Sequence, residues 1–405
     1  MSSSLKSHDS GSRPEPLKEN DLEGNDPDFE IPPFCPNKDC PSHQLPSQEG
    51  QRWYRLDGSY PTKAFGPVQR YRCLSCGRGF SDQTFRLDYF IKKPLSYRRI
   101  FEHITAGSGL RSIARRLGAD HQMIACRLSR LARQALAVHS QLLGQIILSE
   151  DLVTDGFESF VSSQYEPNNI HLLAGSHSQF LYSFDFADLK RKGRMSERQR
   201  NERERREEKL IRERISISES FARIVETLKE LIFSGAQRKV TLYSDEKEEY
   251  GREVAKSLLL AELERQGYFT HIRISSKIAR TTQNKLFPVN YLDRLLRKDN
   301  ANHVRETVQF SQTVAGCLER IAVYQLRHNY FKPYRIDDGP KSRLLHGEVA
   351  GLSRGKIAEA LEGIFERRRF FSRVKLHSFE KMVWLRLLDN VDRKVGGFRP
   401  AYIRM

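Results

Sequence analysis

The sequence predicts a multidomain chain in which a small cysteine-bearing β module and an all-α module precede an α/β core with a helical C-terminal extension. Three observations carry that reading. Four of the six cysteines fall as two pairs in aromatic, strand-like text between Phe34 and Arg86. Helical periodicity runs from about Ser96 to Leu143. From Ile146 strand-like runs alternate with amphipathic helices to about Ile274, helices follow to about Tyr330, and basic helical text fills 337–405.

Bulk properties narrow the class. A chain of 405 residues has room for three or so domains. A net charge of +17 favours a polyanionic partner, although ribosome-associated and membrane-surface proteins share that balance. No apolar run reaches the roughly 18 residues a membrane span needs, and no signal-peptide stretch opens the sequence. Six clustered cysteines are too few for a disulfide scaffold, so a reducing, intracellular setting is expected. Residues 1–33 are rich in Ser, Pro, Gly and acids and poor in apolar side chains, which predicts a disordered tail.

The first module, 34–86, holds Cys35-x4-Cys40 and Cys73-x2-Cys76. Zinc takes four thiolates in a tetrahedron, and each tight turn with two cysteines supplies half of one. Gly77 lets the backbone curl past Cys76 with positive φ, and the strand-like text from Trp53 to Arg72 suits the hairpin of a zinc ribbon. The wide first spacing leaves His43 as a competing ligand, and unliganded cysteines are the bland alternative. Structural Zn2+ is expected, since four protein ligands leave no open position for catalysis.

The second module, 96–143, contains Leu110 to Leu131, LRSIARRLGADHQMIACRLSRL. Ala114 is small where two helices would cross, Gly118 falls where the turn needs a left-handed residue, and Ile124 sits where the second helix would pack on the first. This is helix-turn-helix spacing, with His121 to Leu131 as recognition helix and Gln122, Arg127 and Arg130 as candidate contacts to DNA bases or phosphates. An ordinary helical hairpin fits the same apolar pattern.

The third module, 146–335, places Asp155 within a strand-like run from Asp151 to Phe160. Strands are predicted at 170–174 and 180–186, then a charged insertion at 190–214 with Glu202/Arg206 and Glu208/Arg212 at helical spacing, read as a solvated helix or mobile insertion, with a DNA-clamping arm as the alternative. A helix through Ile217, Phe221, Ile224, Leu228 and Leu231 leads to a strand, Val240 to Asp245, which ends on a second aspartate. A helix from 250 to 266, a strand at 270–274 and a helix begun by Asp293 complete the order. That order is the ribonuclease-H-like layout, in which acids at the first strand, the fourth strand and a following helix converge. A lone aspartate at a strand end is usually structural, but converging carboxylates imply bound Mg2+ or Mn2+. Asp293 is the favoured third acid, with Glu306 and Glu319 as competitors; Asn290 suits a helix N-cap better than a place beside the metal.

These residues resemble bacterial insertion-sequence transposases of the DDE/DDD class. The resemblance rests on CPNKDCPSH, RYRCLSCGRGFS, the aspartates of DGFESF and SDEKEEY, and Asn290-x-x-Asp293, across about Phe34 to Arg335. It implies an enzyme that binds the ends of a mobile element as double-stranded DNA, cleaves them with metal help, and joins the freed 3'-OH to target DNA. Asp155, Asp245 and Asp293 would then be both catalytic residues and magnesium ligands. The likeness further implies a homo-oligomer on DNA, no membrane partner and a cytoplasmic, nucleoid-associated location. An Asp in the third position, where Glu is usual, and the insertion at Lys190 depart from the pattern. The competing readings are a DNA-binding regulator built on an inactive transposase core and a zinc-ribbon accessory factor for transcription. The 337–405 extension offers only Trp384, read as core packing, and Arg367 to Arg369, read as a solvated face.

Overall fold

The computed structural model describes residues 32–44, 52–235, 238–304, 307–335 and 344–390. All but the last two residues of the expected disordered tail lie outside these, as do Glu306, 337–343 and 391–405.

The first module is a three-stranded antiparallel sheet of β1 (Tyr54–Thr62), β2 (Gly66–Cys73) and β3 (Gly79–Ser81), preceded by the short helix α1 (Pro41–Gln44). Its small core joins Tyr54, Tyr71, Phe80 and Phe85 to the cysteines, and it borrows Phe370 from the far end of the chain. So small a core needs outside support. The C-terminal extension supplies some: Arg368 donates its backbone N–H to the Phe85 carbonyl at 2.7 Å, and Leu87 donates to Glu366 at 2.7 Å.

Helices α2 (Tyr97–Thr105), α3 (Leu110–Arg116) and α4 (His121–Leu143) form the second module. Gly118 has φ +57° in the turn, where a side chain would be strained, and Ile113, Ala114 and Ile124 are buried at the crossing. Asp120 caps α4 by accepting from the Gln122 N–H at 2.7 Å. The expected recognition helix continues well past Leu131, to 23 residues.

The α/β part is a five-stranded mixed sheet ordered β6-β5-β4-β7-β8. Strands β4 (Leu152–Phe160), β5 (Pro167–Gly175) and β6 (Leu181–Asp188) are antiparallel neighbours, while β7 (Val240–Asp245) and β8 (Phe269–Ile274) extend the sheet parallel to β4. Between β6 and β7 come α5 (Glu197–Glu208) and α6 (Ile217–Ser234). The single helix expected at 250–266 is two, α7 (Glu248–Lys256) and α8 (Leu258–Arg265); the Ser257 hydroxyl between them caps the second. Then follow α9 (Phe287–Asp299), α10 (Val314–Tyr330), α11 (His346–Val349), α12 (Arg354–Leu361) and α13 (Ser378–Trp384).

Strand alternation sorts the two faces. On one, His171 meets Phe221 of α6 and Tyr250 of α7 edge-on. On the other, Phe157 meets His303 just beyond α9, and Arg297 of α9 lies over the Phe157 ring at 4.5 Å. Helix α4 packs beside α10, α12 and α13, with His139 bridging the Tyr330 hydroxyl and the Tyr182 carbonyl. One hydrophobic core therefore runs unbroken from α2 to α13. Trp384 is buried in it, and Arg369 is half-buried with its backbone N–H donated to Gln134.

Candidate active site and metal centre

Cys35, Cys40, Cys73 and Cys76 form a cluster able to hold a metal such as zinc. Their sulfurs all lie within 4.8 Å of one another. Cys35 and Cys76 are 3.6 Å apart, Cys40 and Cys73 3.7 Å. Four sulfurs at about 2.3 Å from a tetrahedral zinc would be separated by about 3.8 Å, so the quartet fits that ion. Two tight turns build it: Cys40 N–H donates to the Asn37 carbonyl, and Gly77 N–H, at φ +69°, donates to that of Cys73. Burial resists ionisation of Cys76, but hydrogen bonds from the Arg78 N–H, Asn37 and neighbouring thiols bring it down to about 7. His43 is not part of the cluster. Its Nδ1 bonds the Cys35 carbonyl at 2.6 Å, and its ring packs edge-on against Phe34.

The three aspartates converge. Continuing the β4–β7 register two residues past Val153↔Tyr243 sets Asp155 level with Asp245 on adjacent parallel strands. Helix α9 packs on β4 and brings Asp293 close enough for the Asp155 charge to act on it. Burial first and the Asp245 charge second push the Asp155 carboxyl above the usual range, against the Gly156 N–H, Lys247 and Arg280. Asp293 is raised well above it by burial and then by Asp155, against Arg297, Arg280 and Lys247. Asp293 Oδ1 and Asn290 Oδ1 are buried without a hydrogen-bond partner. Repelling carboxyls, orphaned oxygens and oxygen-only donors suit a hard divalent cation. Among the described residues only the cysteines bring three or more ligand atoms within 4.8 Å, so the carboxylates span a wider opening than a single ion would close.

Helix α9 begins earlier than the sequence reading placed it. Pro288 sits in its first turn, where a missing N–H costs nothing, so Asp293 lies inside the helix and Asn290 is not its N-cap. Glu319, the described competitor, is buried in α10 and faces Arg386 at 3.6 Å, not the aspartates.

Sequence reasoning placed Arg297 one turn after Asp293 on the same helix face but missed the other groups that frame the acids. Gly156 lets the Asn169 amide approach so closely that an added Cβ would lie 2.4 Å from it. Lys247 stands 3.8 Å from Asp245 and donates to the Tyr250 hydroxyl at 3.4 Å. Arg297 fixes α9 to β4 through the Glu158 carbonyl at 3.0 Å.

The DNA-contact candidates divide. Gln122 is exposed at the start of α4, beside exposed His121 and near exposed Arg111, Arg115 and Arg116 of α3. Arg127 and Arg130 instead turn inward, correcting the expectation of base or phosphate contacts. Arg127 is buried and donates to the Lys93 carbonyl at 3.0 Å; Arg130 donates to those of Leu87 and Tyr89 at 2.6 Å each. Their donors satisfy carbonyls of the 87–93 segment that no helix or strand pairs.

No protein-family model matches the chain, and no curated protein matches it. No described helix is long and apolar enough to cross a membrane.

Proposed function

We propose that this protein is a transposase of the DDE/DDD kind, with a ribonuclease-H-like core, that cuts and joins DNA at the ends of a mobile element. The observation that supports it is the approach of Asp245 and Asp293 to Asp155 at the β4–β7 seam, drawn from two strands and a helix far apart in the chain. Asp155 is the shared member, between Asp245 and Asp293, an arrangement suited to a pair of Mg2+ or Mn2+ ions. Bound there, the ions would activate a water or 3'-hydroxyl and stabilise charge on the scissile phosphate.

The chain's own groups prepare that chemistry. Gly156 N–H donates to Asp155 Oδ1 at 2.7 Å and Lys247 N–H to Asp245 Oδ1 at 3.1 Å, which fixes both carboxylates in orientation. Exposed Arg280 acts on both Asp155 and Asp293 and is placed to meet a phosphate arriving from solvent. The cysteine cluster, holding structural zinc, and the α3–α4 pair would hold double-stranded DNA, with Gln122 at the leading edge. Assembly as a homo-oligomer on DNA belongs to the same reading.

The test is strand cleavage and joining, with Mg2+ or Mn2+, on plasmid carrying the segments that border the coding region. Wild-type protein should nick and join, while Asp155→Ala, Asp245→Ala and Asp293→Ala should bind the same DNA without cutting it. Wild-type protein that binds its ends with metal present and never cuts them would instead be a regulator on an inactive core.

A further inference from the structure

The segment between β6 and α6 sorts its charge along its length. Residues 190–200 carry six Arg and Lys against one Glu, whereas 201–214 carry six against five. The second half spends its charge internally and on the body. Arg205 and Arg206 bond Glu202, Arg206 reaches Glu166 at 2.7 Å, and Arg212 grips Asp188 with two bonds of 2.7 and 2.6 Å. The expected Glu208/Arg212 pair does not form, because α5 ends at Glu208 and Arg212 turns to Asp188. Asn390 closes the dock by accepting from the Ile211 N–H at 2.7 Å and donating to the Lys209 carbonyl at 2.9 Å. A cavity of about 380 Å³ lies under this dock.

The first half has no such partners. Lys190, Lys192, Arg194, Arg198 and Arg200 are exposed, and their side chains make no hydrogen bond or ion pair among the described residues. Arg191 pins the segment by lying over the Tyr165 ring at 4.8 Å. Helix α5 buries no residue, and Met195 is the one apolar side chain between 190 and 200, so this surface has no stripe for a lipid bilayer or a protein groove. Five unpaired cations on a docked arm match a regular polyanion.

The arm also stands in a defined place. It is fastened to the β4–β5 turn at Ser162, Tyr165 and Glu166. From Asp155 to the end of β4 at Phe160 is five residues, about 17 Å at roughly 3.3 Å each. At about 3.4 Å per base pair along a duplex, that is about half a helical turn from the carboxylates.

We propose that residues 190–200 form a clamp for the phosphate backbone of duplex DNA, gripping it about half a turn from the scissile phosphate. The clamp rests on the transposase reading for its role, and its test separates the two. Three full-length proteins are compared by fluorescence anisotropy on one long duplex of arbitrary sequence across a series of salt concentrations. They are wild type, the triple variant Lys192→Gln, Arg194→Gln, Arg198→Gln, and a charge-matched control, Lys229→Gln, Lys256→Gln, Arg265→Gln. The control cations lie on α6, α7 and α8, away from the clamp. The arm variant should flatten the log–log salt dependence by about 2 to 3 units, at about 0.9 per lost phosphate contact, and the control by less than about one. Since none of the three arm side chains has a hydrogen-bond or ion-pair partner among the described residues, its melting temperature should match wild type. An unchanged slope in the arm variant overturns the clamp, as does an equal change in the control, which would report bulk charge alone. Preference of the wild type for anionic lipid vesicles over duplex also overturns it. Normal clamp behaviour in a protein that never cuts would sink the transposase reading and leave the clamp standing.

Discussion

Arg130 donates a hydrogen bond to the carbonyl of Leu87 at 2.6 Å, and that bond ties the helical module to the segment leading out of the cysteine module. Its second terminal nitrogen does the same for Tyr89. Charged donors on buried carbonyls contribute about 1.5–3 kcal/mol each. Arg130→Ala should therefore lower unfolding free energy by about 2–4 kcal/mol in chemical denaturation. Gln122→Ala should leave stability unchanged and weaken sequence-specific DNA binding by about 1–3 kcal/mol. A stable Arg130→Ala protein would show that the inward geometry matters little in solution.

Removal of one cysteine pair should be felt in the segments packed on the cluster. Cys73→Ser with Cys76→Ser should reduce bound zinc from about one per chain to none by metal analysis, since each thiolate pair is half of the tetrahedron. Phe34 meets Phe85 and Phe370 edge to face in the same small core as the cysteines, so the loss should reach the C-terminal extension as faster amide exchange around 366–370. Retention of zinc in that variant would refute the assignment.

The aspartates set a pH dependence whose sign is fixed. The folded protein holds protons on Asp155 and Asp293 more tightly than the unfolded chain does. Their contribution to stability is therefore greatest in acid and falls as pH rises from the ordinary carboxylate range through the raised values. Without divalent metal, Asp155→Asn and Asp293→Asn should melt higher than wild type at neutral pH, and the gap should close towards pH 4. Mg2+ should raise the melting temperature of wild type alone. Asparagine variants that are less stable than wild type at every pH would contradict the repulsion.

Gly156 is the tightest packing point beside the site. Gly156→Ala should displace Asn169 and destabilise the fold by about 1–3 kcal/mol, as overpacking does. Because Asp155 is its neighbour, strand cleavage should fall further than stability alone accounts for. Equal losses in both would mean the carboxylate does not feel the shift.

Arg280→Ala should leave the melting curve in place and slow cleavage about 10- to 100-fold, the effect of one lost charge at a reacting phosphate. Unaltered cleavage would move the phosphate away from this loop.

What the sequence made legible was local. In the α/β part β7 spans the predicted residues and the other strands differ only at their ends, because alternation and turn residues mark them without outside help, whereas the short β3 of the cysteine module was not foreseen. The nearness of Asp155 and Asp245 was legible because strand order sets β4 beside β7. The rest depended on partners distant in the chain. No nearby pattern tells Arg130 that carbonyls of Leu87 and Tyr89 need donors, and none tells Phe370 that it completes the core of the cysteine module. Pro288 was a readable sign that α9 starts early, and Ser257 a readable sign that the helix before β8 is broken.

Helix α4 carries exposed Gln122 at one end and is buried against α10 at the other, with no joint between. Its 23 residues span about 34 Å at roughly 1.5 Å each. If the start of α4 reads DNA as proposed, that head is locked in phase with the sheet as well as in distance. One residue inserted mid-helix would advance the head by only about 1.5 Å but rotate it by about 100°, carrying it off a groove that it had faced. Tolerance to insertions in α4 should then be periodic, returning near each full turn, where a flexible tether would show a smooth decline.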